Sequence, residues 1–208
     1  VKQHPGHTVI SYVNTTAAVK AVTDVVVTST NARQIVESFP EGTPMIFGPD
    51  RNLGNYINSI TGRNMLLWDG ACHVHEQFSL EKILSLKKQY PNAECKQPVI
   101  QVSDFVGSTA ALLKHTIKSD AKQFIVATES GVIHEMRKRS PDKEFIPAPP
   151  NDSTCACNEC NFMRLNTMEK LYNCLKFEMP EIFVDEEVQK KAIKPIKKML
   201  EISEKLGL

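Results

Sequence analysis

Three thiols crowd into six residues in Cys155-Ala156-Cys157-Asn158-Glu159-Cys160, and a fourth, Cys72, stands far upstream in Trp68-Asp69-Gly70-Ala71-Cys72-His73-Val74-His75. Clustered thiols in a chain with no disulfide-scaffold composition point first to metal or redox chemistry. Thiolates suit zinc and iron–sulfur centres alike, so both are open on these residues. Zinc is the weaker reading, because a structural finger wants a second paired motif and only Cys72 with His73 and His75 is on offer. In an extended segment alternate residues face opposite sides, so at most one of His73 and His75 is expected to point at a site. Cys174 falls on the apolar face of a helical stretch and reads as packing, while Cys95 follows Glu94 in a loop and is undecided.

A second group of reactive types gathers where apolar runs stop: Tyr12-Val13-Asn14-Thr15-Thr16, Thr28-Ser29-Thr30-Asn31, Gly107-Ser108-Thr109 and Thr128-Glu129-Ser130-Gly131. Each small polar set lies just ahead of a helical pattern, where Ser, Thr and Asn cap free N–H groups and the helix dipole favours anions. Capping alone explains any one such turn. Its repetition at four strand ends favours a small anionic ligand, a carboxylate or a phosphate, held at the carboxyl ends of parallel strands. Neither the Gly-x-Gly-x-x-Gly nor the Gly-x-x-x-x-Gly-Lys-Ser/Thr pattern occurs, so nothing supports an NAD or ATP site.

The elements that must position these residues follow from periodicity. Strands are predicted at 8–13, 25–27, 45–47, 65–68, 99–102, 124–126 and 145–146. Helices are predicted at 16–21, 32–38, 53–60, 80–90, 110–118, 131–139, 167–176 and about 185–206. Alternation of this kind predicts an α/β fold of parallel sheets covered by helices. A cut near residue 78 would give two units of similar build, 1–78 and 79–208. With 25 Lys+Arg against 24 Asp+Glu, the chain has no electrostatic footprint for nucleic acid or an anionic membrane. No apolar run approaches the ~20 residues of a spanning helix, and a cytoplasmic protein is expected. The Lys-rich stretch 190–198 carries Ala192, Ile193 and Ile196 at helical spacing, so it reads as a solvated helix face.

The stretches Tyr12 to Ala21, Thr28 to Ala32, Pro49-Asp50-Arg51-Asn52-Leu53-Gly54, Trp68 to His75, Val106 to Thr109, Ala127 to Gly131, and Cys155 to Cys160 running into Met163 and Asn166-Thr167, resemble the quinolinate synthase (NadA) family, in family order. The resemblance implies three-layer αβα units with parallel sheets, two of the three pseudo-threefold-related domains of that family, its first domain being absent from this sequence. It implies condensation of iminoaspartate with dihydroxyacetone phosphate to quinolinate, with loss of phosphate and water. It implies a [4Fe–4S] cluster whose open iron serves as a Lewis acid, and a functional link to the aspartate-oxidising enzyme that supplies iminoaspartate. By position, Cys72 and Cys160 resemble two of the cluster ligands, the third being expected from the absent domain. Cys155 and Cys157 are then neighbours with a reversible disulfide as one option, and spacing alone leaves Cys157 open as a ligand. Tyr12, Val13 and Asn14, with Ser29, Ser108 and Thr109, resemble the substrate-binding set. Tyr12 and Glu94 resemble the catalytic acid/base residues.

The sequence departs from the family at two places. Where the family has His-Pro-Glu-Cys, this chain reads Asn92-Ala93-Glu94-Cys95, and the connection from Pro91 is too short for the ~5-residue strand expected there. A stretch left out of the sequence as given is the preferred account, since a true deletion would be expected to cost the second unit its stable fold and its activity. The sequence also opens on Val1, directly before a strong strand, and is expected to be a piece of something longer that is inactive alone. The alternative from another class is a non-catalytic zinc-binding or interaction module built on Cys155 to Cys160.

Overall fold

The computed structural model describes residues 1–96, 102–151 and 159–208, the side chains of Cys95 and Lys96 excepted. In chain order the elements are β1 (Thr8–Tyr12), α1 (Ala17–Lys20), β2 (Val25–Val27), α2 (Ala32–Glu37), β3 (Met45–Gly48), α3 (Arg51–Thr61), β4 (Leu66–Leu67), α4 (His73–Glu76) and α5 (Leu80–Gln89). They continue with β5 (Glu94–Lys96), α6 (Thr109–Lys118), β6 (Gln123–Val126), α7 (Ser130–Arg139), β7 (Glu144–Pro147), α8 (Met168–Phe177) and α9 (Glu186–Lys205). The chain forms two compact units, 1–71 with 182–208, and 72–181.

In the first unit the strands run parallel in the order β2-β1-β3-β4. Its strands are short β-branched or aromatic runs, and Val25, Val26, Val27 and Phe47 are wholly buried, as sheets covered on both faces require. The helices carry their own start signals. Asp50 accepts the Leu53 N–H at 2.7 Å to begin α3, and Gly62, at φ 67°, ends it in the left-handed conformation that glycine adopts without cost. Gly48 is needed for space: a Cβ there would lie 2.4 Å from Trp68 Cβ, an atom fixed to the backbone.

α9 belongs to this unit although the chain reaches it last. Its buried residues Ala192, Pro195 and Met199 recur on one face, Ile196 packs beside them, and the helix lies against β2 and α1. The lysines between them remain on the solvated side, as their spacing predicts. The predicted cut at residue 78 therefore shifts to 71, and 182–208 leaves the second unit for the first. The reason is apolar burial: Val74 and Phe78 pack with Ile83 and Ala148 of the second unit, where Phe78 also bridges Pro150.

The second unit is a parallel sheet ordered β5-β6-β7. The period-two alternation of β6 divides its core, as pleating requires. Ile125 faces Val74, Phe78, Ile83 and Ala93, while Phe124 and Val126 face Leu112, Ile133, Met136 and Phe145. Helix α5 thus covers one face and α6 with α7 the other, the three-layer αβα arrangement. The predicted strand at 99–102 falls almost wholly outside the described residues, and the strand expected to be missing before it is present as the three residues Glu94–Lys96, paired with Phe124–Val126. No helix among the described residues is long and apolar enough to cross a membrane.

Candidate functional site

At the carboxyl end of β1 the chain separates residues that complete the fold from residues that do not. Thr16 caps α1 and the Thr15 hydroxyl donates to Tyr12 O at 2.9 Å. Val13 extends the ladder through its N–H to Val27 O at 2.9 Å, so its backbone donor serves the sheet. At the end of β2, Asn31 Oδ1 accepts from the Thr28 N–H at 2.7 Å and from its hydroxyl at 3.0 Å, while Nδ2 donates to Ser203 of α9 at 3.3 Å. The half-buried Tyr12 phenol and the exposed Asn14 amide and Ser29 hydroxyl make no hydrogen bond to another described residue. Helix capping accounts for Thr16, and bonds to the preceding turn and to Ser203 for Asn31, which leaves Tyr12, Asn14 and Ser29 with donors to offer. Lys20 donates to Thr15 O beside them, and burial pushes its ammonium below the usual lysine range.

In the second unit the two thiols singled out by position pack on the same core cluster. Cys72 and Cys160 are both half-buried and pack on one apolar cluster with Val74, Phe78 and Ala148. Their flanks touch, the His73 and Phe162 rings meeting edge to face at 5.1 Å. His73 and His75 lie on a helix, α4, and not on an extended segment; residues two apart on a helix still point to different sides, so the expectation survives with another cause. The buried His73 Nε2 has no hydrogen-bond partner, an orphaned polar atom where the two cysteine segments converge. Half-buried thiols from distant segments in apolar surroundings fit two of the ligands of an iron–sulfur cluster. Among the described residues no three His, Cys, Asp or Glu side chains form a metal-ligating group. Cys155 and Cys157 lie outside the described residues. Cys174, expected in a core, is exposed on α8.

Ser108 and Thr109 open α6. Ser108 Oγ accepts the Ala111 N–H at 3.2 Å, which uses a lone pair and leaves its proton to donate; the exposed Thr109 hydroxyl has no partner among the described residues. Glu94 does not join them. Its carboxylate receives the Ser119 hydroxyl at 2.7 Å and lies 2.7 Å from His115 Nε2, whose ring stacks on Phe105 at 4.2 Å. His115 and Ser119 stand at the other end of α6, and ten helical residues span about 15 Å. Glu94 also pairs with Phe124 near the start of β6, at the amino edge of the sheet. Glu94 is thus the first residue of its strand, and its carboxylate fastens that strand to α6. A surface hollow of about 600 Å³ lined by Asn92, Lys122, Asp142 and Glu144 lies at this same amino edge.

Parallel sheets covered by helices, with polar groups left over at the strand ends, define an α/β protein of αβα units. The sequence model of the family described as quinolinate synthetase A protein matches residues 1–201, and the chain belongs to that family. It is 52% identical to a quinolinate synthase of a Synechococcus species over 96% of this chain and 64% of the relative. It is 53% identical to that of Chloroherpeton thalassium, over 97% and 64%, and 52% identical to that of Thermosynechococcus vestitus, over 97% and 65%. The chain thus spans about 64% of the length of these curated relatives.

Proposed function

We propose that this chain is part of a quinolinate synthase, which condenses iminoaspartate with dihydroxyacetone phosphate and releases phosphate and water. The family match over 1–201 carries the reading. The donors left over by the fold support it, because both substrates are anions. The Asn14 amide and the Ser29 hydroxyl suit carboxylate oxygens at the ends of β1 and β2. The Thr109 and Ser108 hydroxyls, at the positive end of α6, suit carboxylate or phosphate oxygens. The Tyr12 phenol, with no hydrogen-bond partner among the described residues, and the Glu94 carboxylate are the groups to hold or move a proton. Cys72 and Cys160 would hold a [4Fe–4S] cluster, with a further ligand from outside the matched length. When bound, such a cluster supplies an open iron as a Lewis acid. In this reading iminoaspartate comes from an aspartate-oxidising enzyme, and the setting is the cytoplasm.

Anaerobic reconstitution of the gene product carrying this chain, followed by iron, labile-sulfide and quinolinate assays, tests the proposal. Iron and sulfide lost in Cys72→Ser and Cys160→Ser, but kept in Cys174→Ser, are the expected results. A product that takes up no iron and forms no quinolinate overturns it, and stoichiometric zinc without sulfide points instead to a zinc module.

A further inference from the structure

From Tyr12 to Thr23 the chain carries a single charged side chain, Lys20. A lysine on a short surface helix ordinarily extends into water, keeping its head solvated. Lys20 is instead half-buried, and its ammonium reaches back over α1 to donate to the carbonyl of Thr15, five residues earlier. No carboxylate draws it there, since Lys20 makes no ion pair among the described residues. The placement costs desolvation, and burial is what lowers the pKa of this ammonium.

What the ammonium holds is the turn after β1. The Thr15 N–H donates to Tyr12 O at 3.1 Å, and the Thr15 hydroxyl donates to the same oxygen at 2.9 Å. Lys20, Thr15 and Tyr12 thus form one series of hydrogen bonds that closes the turn containing Asn14. The helix does not need Lys20 for its own start, because Thr16 Oγ1 already accepts the Val19 N–H at 3.4 Å. The base from which Lys20 reaches is itself fixed. The Thr23 hydroxyl donates to Val19 O at 2.8 Å and lies 3.0 Å from the buried Ser11 hydroxyl of β1. On the other side of the turn, the Val13 N–H is bonded to Val27 O.

We propose that Lys20 is a positioning residue of the reaction: through the Thr15 carbonyl it fixes the turn that presents the Tyr12 phenol and the Asn14 amide to substrate. This rests on the reading of the chain as part of a quinolinate synthase. Lys20 acts through Tyr12 and Asn14 and does not itself touch the reacting atoms. A reacting group displaced by about 1 Å costs on the order of a hundredfold in rate, so this one bond weighs more on turnover than on stability.

Lys20→Met and Lys20→Arg, made in the gene product carrying this chain and reconstituted anaerobically, test the proposal. Lys20→Met should lower kcat/KM for quinolinate formation by on the order of a hundredfold with iron and sulfide content unchanged. Lys20→Arg, which keeps a cationic donor for the carbonyl, should recover most of that loss. In a Tyr12→Phe background, Lys20→Met should cost less than it does alone, because both changes act on the same phenol. Hydrogen exchange in peptides spanning residues 12–20 should quicken about tenfold in Lys20→Met and stay near the wild-type rate in Lys20→Arg. Full activity in Lys20→Met overturns the proposal. Unchanged exchange in that variant does the same, as do losses that simply multiply in the double variant. A wild-type protein that forms no quinolinate overturns the functional reading, and the positioning role falls with it whatever the exchange rates.

Discussion

The two units use the same plan, parallel strands with helices on both faces, yet they treat their polar side chains differently. In the first, Thr16 and Asn31 complete the turns after β1 and β2, and Tyr12, Asn14 and Ser29 remain with unspent groups at the carboxyl ends. In the second, the carboxylate with the most chemical promise, Glu94, sits at the start of its strand and binds the far end of α6. A helix C-terminus is partly negative, so a carboxylate there is disfavoured unless donors surround it. Ser119 and His115 are placed beside it, and Lys143 donates to Thr116 O at 2.7 Å and Ser119 O at 2.5 Å. A residue's place along its strand, more than its type, decides whether it is free for a ligand.

The largest effect should come from Phe47→Ala, which empties a wholly buried site in the first core and should cost that unit about 3–5 kcal/mol. Hydrogen exchange should show β1 to β3 opening while α6 and β6 keep their protection; loss of protection in both units together would break the division between them. Next comes Glu94→Ala, which strips two hydrogen-bond partners from α6 and should destabilise the second unit by roughly 1–3 kcal/mol in denaturant unfolding. Unchanged stability there would return Glu94 to the pool of residues available to a ligand.

The contrast within the first unit is smaller. Asn31→Ala should cost about 1 kcal/mol, for it loses the Thr28 and Ser203 bonds, whereas Ser29→Ala should stay within ~0.5 kcal/mol by thermal unfolding. A Ser29 change as costly as the Asn31 change would mean that its hydroxyl serves the fold after all. Asp142 gives the least. Its hydrogen bond from Lys122 at 3.0 Å, on a fully exposed pair, holds its carboxyl below the usual carboxylate range. Its slight contribution is present above the ordinary aspartate pKa and is lost as pH falls toward the folded-state value. Asp142→Asn should therefore lower stability slightly at neutral pH and leave it unchanged in acid, where the wild-type carboxyl is protonated as well; a difference that persists or grows as pH falls would contradict this placement.

Much of the fold was legible because its strands are short β-branched runs and its helices carry caps: Val25–Val27, Asp50 before α3, Ser79 before α5, Asp185 before α9. Two elements escaped. α4 is four residues long, below any helical period, and β5 is three residues that begin on a charged side chain and show no alternation. The same brevity concealed the side chain of greatest interest, since Glu94 could be placed by motif only in a family pattern from which this chain departs.

The sequence by itself determined the α/β class, the order of most elements and the strand-end polar groups, because periodicity and capping act over a few residues at a time. The family, too, follows from local motifs kept in order. Three matters were left to tertiary structure. α9 returns to the first unit because Met199 and its neighbours find their apolar partners at β2. The Cys72 and Cys160 segments meet on one core cluster because both find their apolar partners there. Glu94 turns to His115 and Ser119 because the register of β5 on β6 sets it at the amino edge. Each is a contact between residues distant in sequence, and no local pattern specifies which distant surface a side chain will meet.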